Sequence, residues 1–349
     1  MKRSQIFSRR LRLLLALIGG VIIIALVIFV LPSYEDDGLR IDVDIIVVEE
    51  TSPGKQAIVH LNLMTHDKRI LFDVPARSDV TALDVSVDGR QLVFAMNTPL
   101  GRTGAQFARS GLYRIDIAQP AAPDLVLGTN NRDILYDTPR WSPGGDALYF
   151  VETNLTNPVA PIFVLARHEL ATQNTTSVVV GATSPNISPD GNRLVYIGIN
   201  SETQQRAIYV ADSDGRHARA LVDDPTLFDL RALLFSHDGE TIFFSAFKDE
   251  VVVNDASLWR DILGVSVAQA HPGHVVPSEW WRVPVDGGAV ERLSQQEAAV
   301  SILSADLAAN AMLIFVTPDG LFALPTNEDA AASPLIVSQT YRTLAVMPR

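Results

Sequence analysis

The chain has 349 residues, a net charge of −12 and no cysteine. Without thiols there are no disulfides, no thiolate chemistry, no Cys-based zinc sites and no lipidated-Cys anchor. The acidic balance argues against a nucleic-acid partner, because holding phosphates needs a basic surface.

Residues 1–12 form a short basic segment with Lys2, Arg3, Arg9, Arg10 and Arg12 and no acid. Residues 13–31 then run uncharged for roughly the thickness of a bilayer in helical form. This pattern predicts a single-pass signal-anchor helix with a cytoplasmic N-terminus. A cleavable signal peptide has a shorter apolar region and a small-residue cleavage site, and Leu31-Pro32-Ser33-Tyr34 matches that poorly. Residues 32–40 read as an acidic linker, and everything beyond the span is expected to be extracytoplasmic, in the periplasm or outside the cell.

From residue 41 onward the pattern is β. Three apolar runs come first, at 41–49, 57–63 and 70–74. A dodecapeptide then repeats: LDVSVDGRQLVF from Leu83, PRWSPGGDALYF from Pro139, PNISPDGNRLVY from Pro185 and LLFSHDGETIFF from Leu233. In Ser188-Pro189-Asp190-Gly191, Pro presets φ for a type I turn, Asp tolerates the next position, and Gly supplies a left-handed residue. Each copy is therefore a β-hairpin. The turn residues Gly89, Gly145, Gly191 and Gly239 are 56, 46 and 48 residues apart. A worn copy covers 305–315, with Asn310 in the Gly place.

Third and fourth strands follow the hairpins, for example 207–210 with 219–222 and 281–284 with 290–293. A repeated four-stranded unit of about 45–50 residues signals a β-propeller. The first unit has only three runs and the C-terminus has a spare one at 341–347. That strand is expected to fill the innermost place of blade one and remove an exposed edge. The predicted fold is all-β: a six-bladed propeller over 41–349, preceded by one N-terminal transmembrane helix.

The stretches WSPGG (141–145), ISPDG (187–191), IYVADSDGRHARALV (208–222) and WRVPVDGGAVERLS (281–294) resemble propeller repeats of the TolB-like type. Such repeats also occur in the propeller domains of prolyl-oligopeptidase-type peptidases. The resemblance covers about residues 40–349 and departs most in blades one and six. It implies an interaction platform or a gating domain. No G-x-S-x-G elbow occurs, and no span after blade six could hold a hydrolase domain.

Candidate chemistry is sparse. His271 and His274 flank a Pro-Gly pair with no carboxylate close in sequence, which favours a solvated loop over a metal site. Asp212-Ser213-Asp214-Gly215 begins like a calcium loop but lacks the later ligands, so a hairpin turn is expected. Asp84, Arg140 and Asn186 share one place in successive innermost strands, two residues before the repeated Ser. They are candidates to line the central channel, where polar residues are also the default. No metal and no cofactor is expected.

Two connections on the face opposite the Ser-Pro-Asp-Gly turns are long, at 97–109 and 248–279. The second, an insertion in blade five, can hold a short helix from Asp255 to Gly264 with Leu258, Trp259, Ile262 and Leu263 on one side. Trp259, His271, His274, Trp280 and Trp281 are the candidate binding residues, since aromatics are favoured in hot spots. The expected function is a membrane-tethered, extracytoplasmic, non-catalytic scaffold with a protein partner on this face. The alternatives are a propeller enzyme with a metal-dependent hydrolase or lactonase site at the channel mouth, and a sensor working through a partner subunit.

Overall fold

The computed structural model describes residues 41–99, 107–248, 278–294, 302–309, 311–327 and 331–348. The predicted anchor helix at 13–31, Asn310, Trp259, His271, His274 and most of the insertion lie outside the described residues. Among the described residues no helix is long and apolar enough to cross a membrane.

The sequence alternates short apolar runs with turn residues, and each group of runs pairs locally into an antiparallel sheet. Blade one holds β1 (Asp44–Ser52), β2 (Lys55–Asn62) and β3 (Lys68–Asp73), and blade two β4 (Asp79–Val85), β5 (Gln91–Pro99), β6 (Phe107–Asp116) and β7 (Asp124–Thr129). Blade three comprises β8 (Ile134–Trp141), β9 (Ala147–Asn154), β10 (Ile162–Glu169) and β11 (Thr175–Val180). Blade four comprises β12 (Thr183–Ile187), β13 (Arg193–Ile199), β14 (Arg206–Asp212) and β15 (Arg219–Val222). Blade five has β16 (Leu227–Phe235), β17 (Thr241–Lys248), β18 (Glu279–Pro284) and β19 (Glu291–Arg292). Blade six has β20 (Ser304–Ala308), β21 (Met312–Thr317), β22 (Gly320–Pro325) and β23 (Ser333–Val337), and β24 (Tyr341–Val346) completes the chain.

The sheets form six four-stranded blades, and β24 pairs with β1 to give blade one the order β24-β1-β2-β3. The closing register sets Ile45 against Val346 and Val47 against Leu344. The fold is thus an all-β six-bladed propeller closed by its C-terminal strand. The connection expected at 97–109 is shorter than the sequence suggests. Pairing of β5 with β6 continues to Pro99 opposite Phe107, because the flanking residues extend the ladder.

Alternation along each strand sends successive side chains into opposite seams between blades. Buried residues accordingly cluster between neighbours. Blades six and one share the largest cluster, with Ile45, Val47, Ile314, Val316, Tyr341 and Leu344. The seam between blades three and four is thinner and built on Tyr149, Leu165, Leu194 and Tyr196.

The repeated turn is held by its Ser as well as by Pro, Asp and Gly. Ser86, Ser142, Ser188 and Ser236 donate their hydroxyls to Asp88, Asp146, Asp190 and Asp238 at 2.5–2.6 Å. The same oxygens accept the N–H of Gln91, Ala147, Arg193 and Thr241 at 2.8–3.0 Å. These bonds pull the turn carboxylates below their ordinary range, the Ser hydroxyl acting most, and Asp190 falls to about 2. Gly89, Gly145, Gly191 and Gly239 close the turns with φ of 69–75°, a conformation that costs other residues strain. Gly215 ends the Asp212 turn at φ 84°, and a Cβ there would sit 2.6 Å from the Val178 carbonyl oxygen. The Asp212 segment is a hairpin turn between β14 and β15, as expected.

Candidate functional site

The innermost strands β24, β4, β8, β12, β16 and β20 surround the channel. Their pairing with the second strands defines equivalent positions: Asp84 faces Val93, Arg140 faces Tyr149, Asn186 faces Val195, Leu234 faces Phe243 and Asp306 faces Ile314. Asp84, Arg140 and Asn186 thus share one level, as their spacing from the turn Ser predicts. Asp306 belongs to the same level.

Three of these side chains each stitch a blade to the one that follows. Asp84 Oδ2 accepts the N–H of Trp141 at 2.7 Å, Asn186 Oδ1 accepts that of Phe235 at 3.2 Å, and Asp306 Oδ2 accepts that of Val346 at 2.8 Å. In each case the donor is one residue beyond the equivalent position of the following blade, which in blade one is Ala345, facing Ile46. The stitches join blades two to three, four to five and six to one. The last of them bonds the closing strand itself.

Arg140 pairs with Asp84 and lies within electrostatic reach of Asp306. Its Nη1 is 3.3 Å from Asp84 Oδ1, and both side chains are largely buried. Burial raises the Asp84 pKa to about 6, against the pull of Arg140 and the Trp141 N–H and with the nearby Asp306 carboxylate adding to it. Asp306 is raised by burial too, opposed by Arg140 and by N–H donation from Val346 and Leu307. Farther along the channel, Asp137 is raised by burial and accepts the Thr81 hydroxyl at 2.7 Å, another link between blades two and three.

The carboxylate oxygens of Asp84 and Asp306 are therefore already engaged by backbone N–H groups and a guanidinium. Among the described residues no three His, Asp or Glu side chains come together in a way that could hold a metal ion. The Asp84–Arg140–Asp306 group can fasten blades, with Arg140 damping its net charge.

Trp280 and Trp281 sit in the core. Trp280 packs edge-on against Phe315 between blades five and six, with ring centroids 5.6 Å apart. Trp281 faces the seam between blades four and five, where the Lys248 ammonium lies 5.4 Å from its ring centroid. They are 1 % and 5 % exposed and form no surface rim. Adjacent residues in a strand face opposite ways, so the pair fills two seams.

Sequence reasoning missed Asp306. In blade six, Ala308 pairs directly with Met312. In blade two Val85 pairs with Leu92, seven residues on, whereas the matching pair in blade six is Leu307 with Leu313, six residues on, so the blade-six turn is one residue shorter. Alignment on Asn310 then points to Ala305, whereas alignment on the second strand, with Leu313 matching Leu92, finds Asp306.

No family model and no curated protein matches the chain. Among solved structures it is similar to TolB from Acinetobacter baumannii, at 13% identity over 89% of this chain and 68% of that one, with a TM-score of 0.61. It is also similar to an oligogalacturonate lyase in complex with manganese, at 15% identity over 79% and 73% of the two chains and a TM-score of 0.51. A third is hydrazine synthase from Kuenenia stuttgartiensis, at 16% identity over 78% and 74% and a TM-score of 0.50. At these identities the likeness is one of fold: a TolB-like six-bladed propeller.

Proposed function

We propose that this TolB-like propeller is a membrane-tethered, extracytoplasmic binding scaffold without catalytic activity of its own. The observation that carries the reading is the engagement of Asp84 and Asp306. Both carboxylates are spent on backbone N–H groups of neighbouring blades, which suits a structural ring better than a reacting centre. The basic segment followed by an uncharged stretch at 13–31 supports the tether. TolB, the neighbour with the TM-score of 0.61, supports the choice of scaffold.

The partner is expected on the face where β17 ends at Lys248 and β18 begins at Glu279, since both ends of the insertion leave there. Replacing residues 249–277 by an Asn-Gly hairpin tests this. The register of Ala246 opposite Glu279 can accept a tight turn. The expected result is a propeller with nearly unchanged unfolding midpoint that no longer crosslinks to its partner in the native membrane. A destabilised variant that still captures the partner refutes the assignment.

The second reading, a metal-dependent propeller enzyme, is favoured by the manganese complex of the similar oligogalacturonate lyase. Elemental analysis of the dialysed protein separates the two. A stoichiometric divalent metal would favour the enzyme.

A further inference from the structure

At the other mouth of the channel, away from the Ser-Pro-Asp-Gly turns, Arg206 bonds to Thr183 and lies within electrostatic reach of Asp229 and Arg231 across the seam between blades four and five. Arg206 is the first residue of β14 and shares its face with Ile208 and Val210, which pack toward blade five. It reaches inward to Thr183, its Nη2 donating to Thr183 Oγ1 at 3.3 Å. Among the described residues no carboxylate forms an ion pair with Arg206, whereas Arg231 Nε donates to Asp229 Oδ1 at 2.8 Å. Asp229 Oδ2 is buried without a partner among those residues.

Half-buried charges are normally paired, because desolvation is costly. Burial is the main influence on Arg206 and pulls its pKa down, with Asp229 opposing and the like charge of Arg231 adding to it. The backbone around the group is strained. Ser184, Asp229 and Ala232 take φ of 52°, 52° and 50°, in the left-handed region that non-glycine residues avoid. The pairing registers break here too, between Thr183 and Asn186 and twice along β16 between Phe228 and Leu234. The bulges in β16 take Asp229 and Arg231 out of the regular alternation. Ser184 and Ala232 repeat the bend that Thr138 makes at φ 48° in blade three, so the departure peculiar to this place is Asp229, within electrostatic reach of a half-buried guanidinium whose one hydrogen bond among the described residues is to Thr183.

We propose that Arg206 and Arg231, with the Thr183 hydroxyl, bind a carboxylate monoanion at this mouth. Two guanidinium groups and one carboxylate leave a single positive charge, matched by a monoanion rather than a phosphate dianion. The planar guanidinium fork fits a carboxylate through paired N–H donors. On a chain of net charge −12 this is a local exception that selects an acidic group. The carboxylate can come from a small acid or from the carboxyl terminus of a peptide. The assignment is independent of the scaffold reading, since it can fail while native-membrane capture succeeds.

The test titrates the full chain with acetate and with N-acetyltrialanine, using N-acetyltrialaninamide and inorganic phosphate as comparators and thermal unfolding as the readout. The expected result is a saturable rise in midpoint with the carboxylates and none with the amide. At least tenfold tighter binding of the peptide acid identifies a peptide terminus, and equal affinity identifies a small acid. Arg206→Met should weaken carboxylate binding at least tenfold, with Arg206→Lys intermediate. The unliganded Arg206→Met protein should unfold at an equal or higher temperature, because a binding residue is held at some cost to the fold. A lower unliganded midpoint with unchanged carboxylate affinity would make Arg206 structural and overturn the proposal. So would the absence of a saturable response, an equal response to the amide, or tighter binding of phosphate.

Discussion

The two mouths of the channel are lined by the same inner strands but treat their charges differently. Near the Ser-Pro-Asp-Gly turns, Asp84, Asn186 and Asp306 each accept a backbone N–H from the next blade. Near the opposite mouth, among the described residues, Arg206 has only the Thr183 hydroxyl and Asp229 keeps a buried oxygen without a partner. The first arrangement contributes to stability and the second costs it. A propeller can therefore divide its charges, fastening the ring along the channel, the Thr81–Asp137 link included, and leaving the seam of blades four and five for recognition.

The largest effect should come from removing the fastening strand. Deleting residues 340–349 takes away β24, strips the Val346 N–H from Asp306 and uncovers β1. Losing the buried Tyr341 and Leu344 alone costs about 4–8 kcal/mol, so the midpoint in calorimetry should fall sharply or cooperativity should vanish. An unchanged midpoint would mean that the ring is closed some other way.

A smaller effect is expected from Asp306→Ala. It leaves the Val346 N–H without its acceptor and Arg140 with one fewer acid, at about 2–4 kcal/mol in denaturant unfolding. If Asp306→Ala costs no more than an exposed Asp-to-Ala change, the stitch is not a fastener.

The third prediction concerns pH. Asp84 has a folded pKa of about 6, above its ordinary value of 3.8, so the folded state holds its proton more tightly than the unfolded chain does. Its contribution to stability is complete below about pH 4 and is lost as pH rises through about 6. Wild type should thus lose about 1–3 kcal/mol relative to Asp84→Asn over that window, with a constant difference above pH 7. The turn acids act with the opposite sign. Their folded pKa values are depressed, so their contribution is present above the ordinary carboxylate value and is lost as pH falls, toward about 2 for Asp190. A difference curve that is flat from pH 4 to 6 would contradict the environment assigned to Asp84.

Much of the fastened end was legible in the sequence. The dodecapeptide gave the turns, and counting back two residues from Ser86, Ser142 and Ser188 gave Asp84, Arg140 and Asn186. The missing strand of blade one and the spare C-terminal strand together implied closure. Asp306 escaped because a shortened turn moved the register by one residue. The opposite mouth was not legible. Bulges at Asp229 and Ala232 break the period of two on which strand reading depends, and Arg206 arrives from the third strand of another blade. Trp280 and Trp281 misled for a related reason. Side by side in sequence they suggest an aromatic patch, whereas alternation sends them into separate seams.

The most direct test of the division between the two mouths is site-specific photocrosslinking in the native membrane. One probe replaces Glu202, exposed in the connection between β13 and β14 on the Arg206 side, and the other replaces Asn192, exposed in the Ser188 turn. The account predicts a discrete crosslinked partner from position 202 and none from position 192. A partner captured from position 192 with nothing at 202 would contradict it.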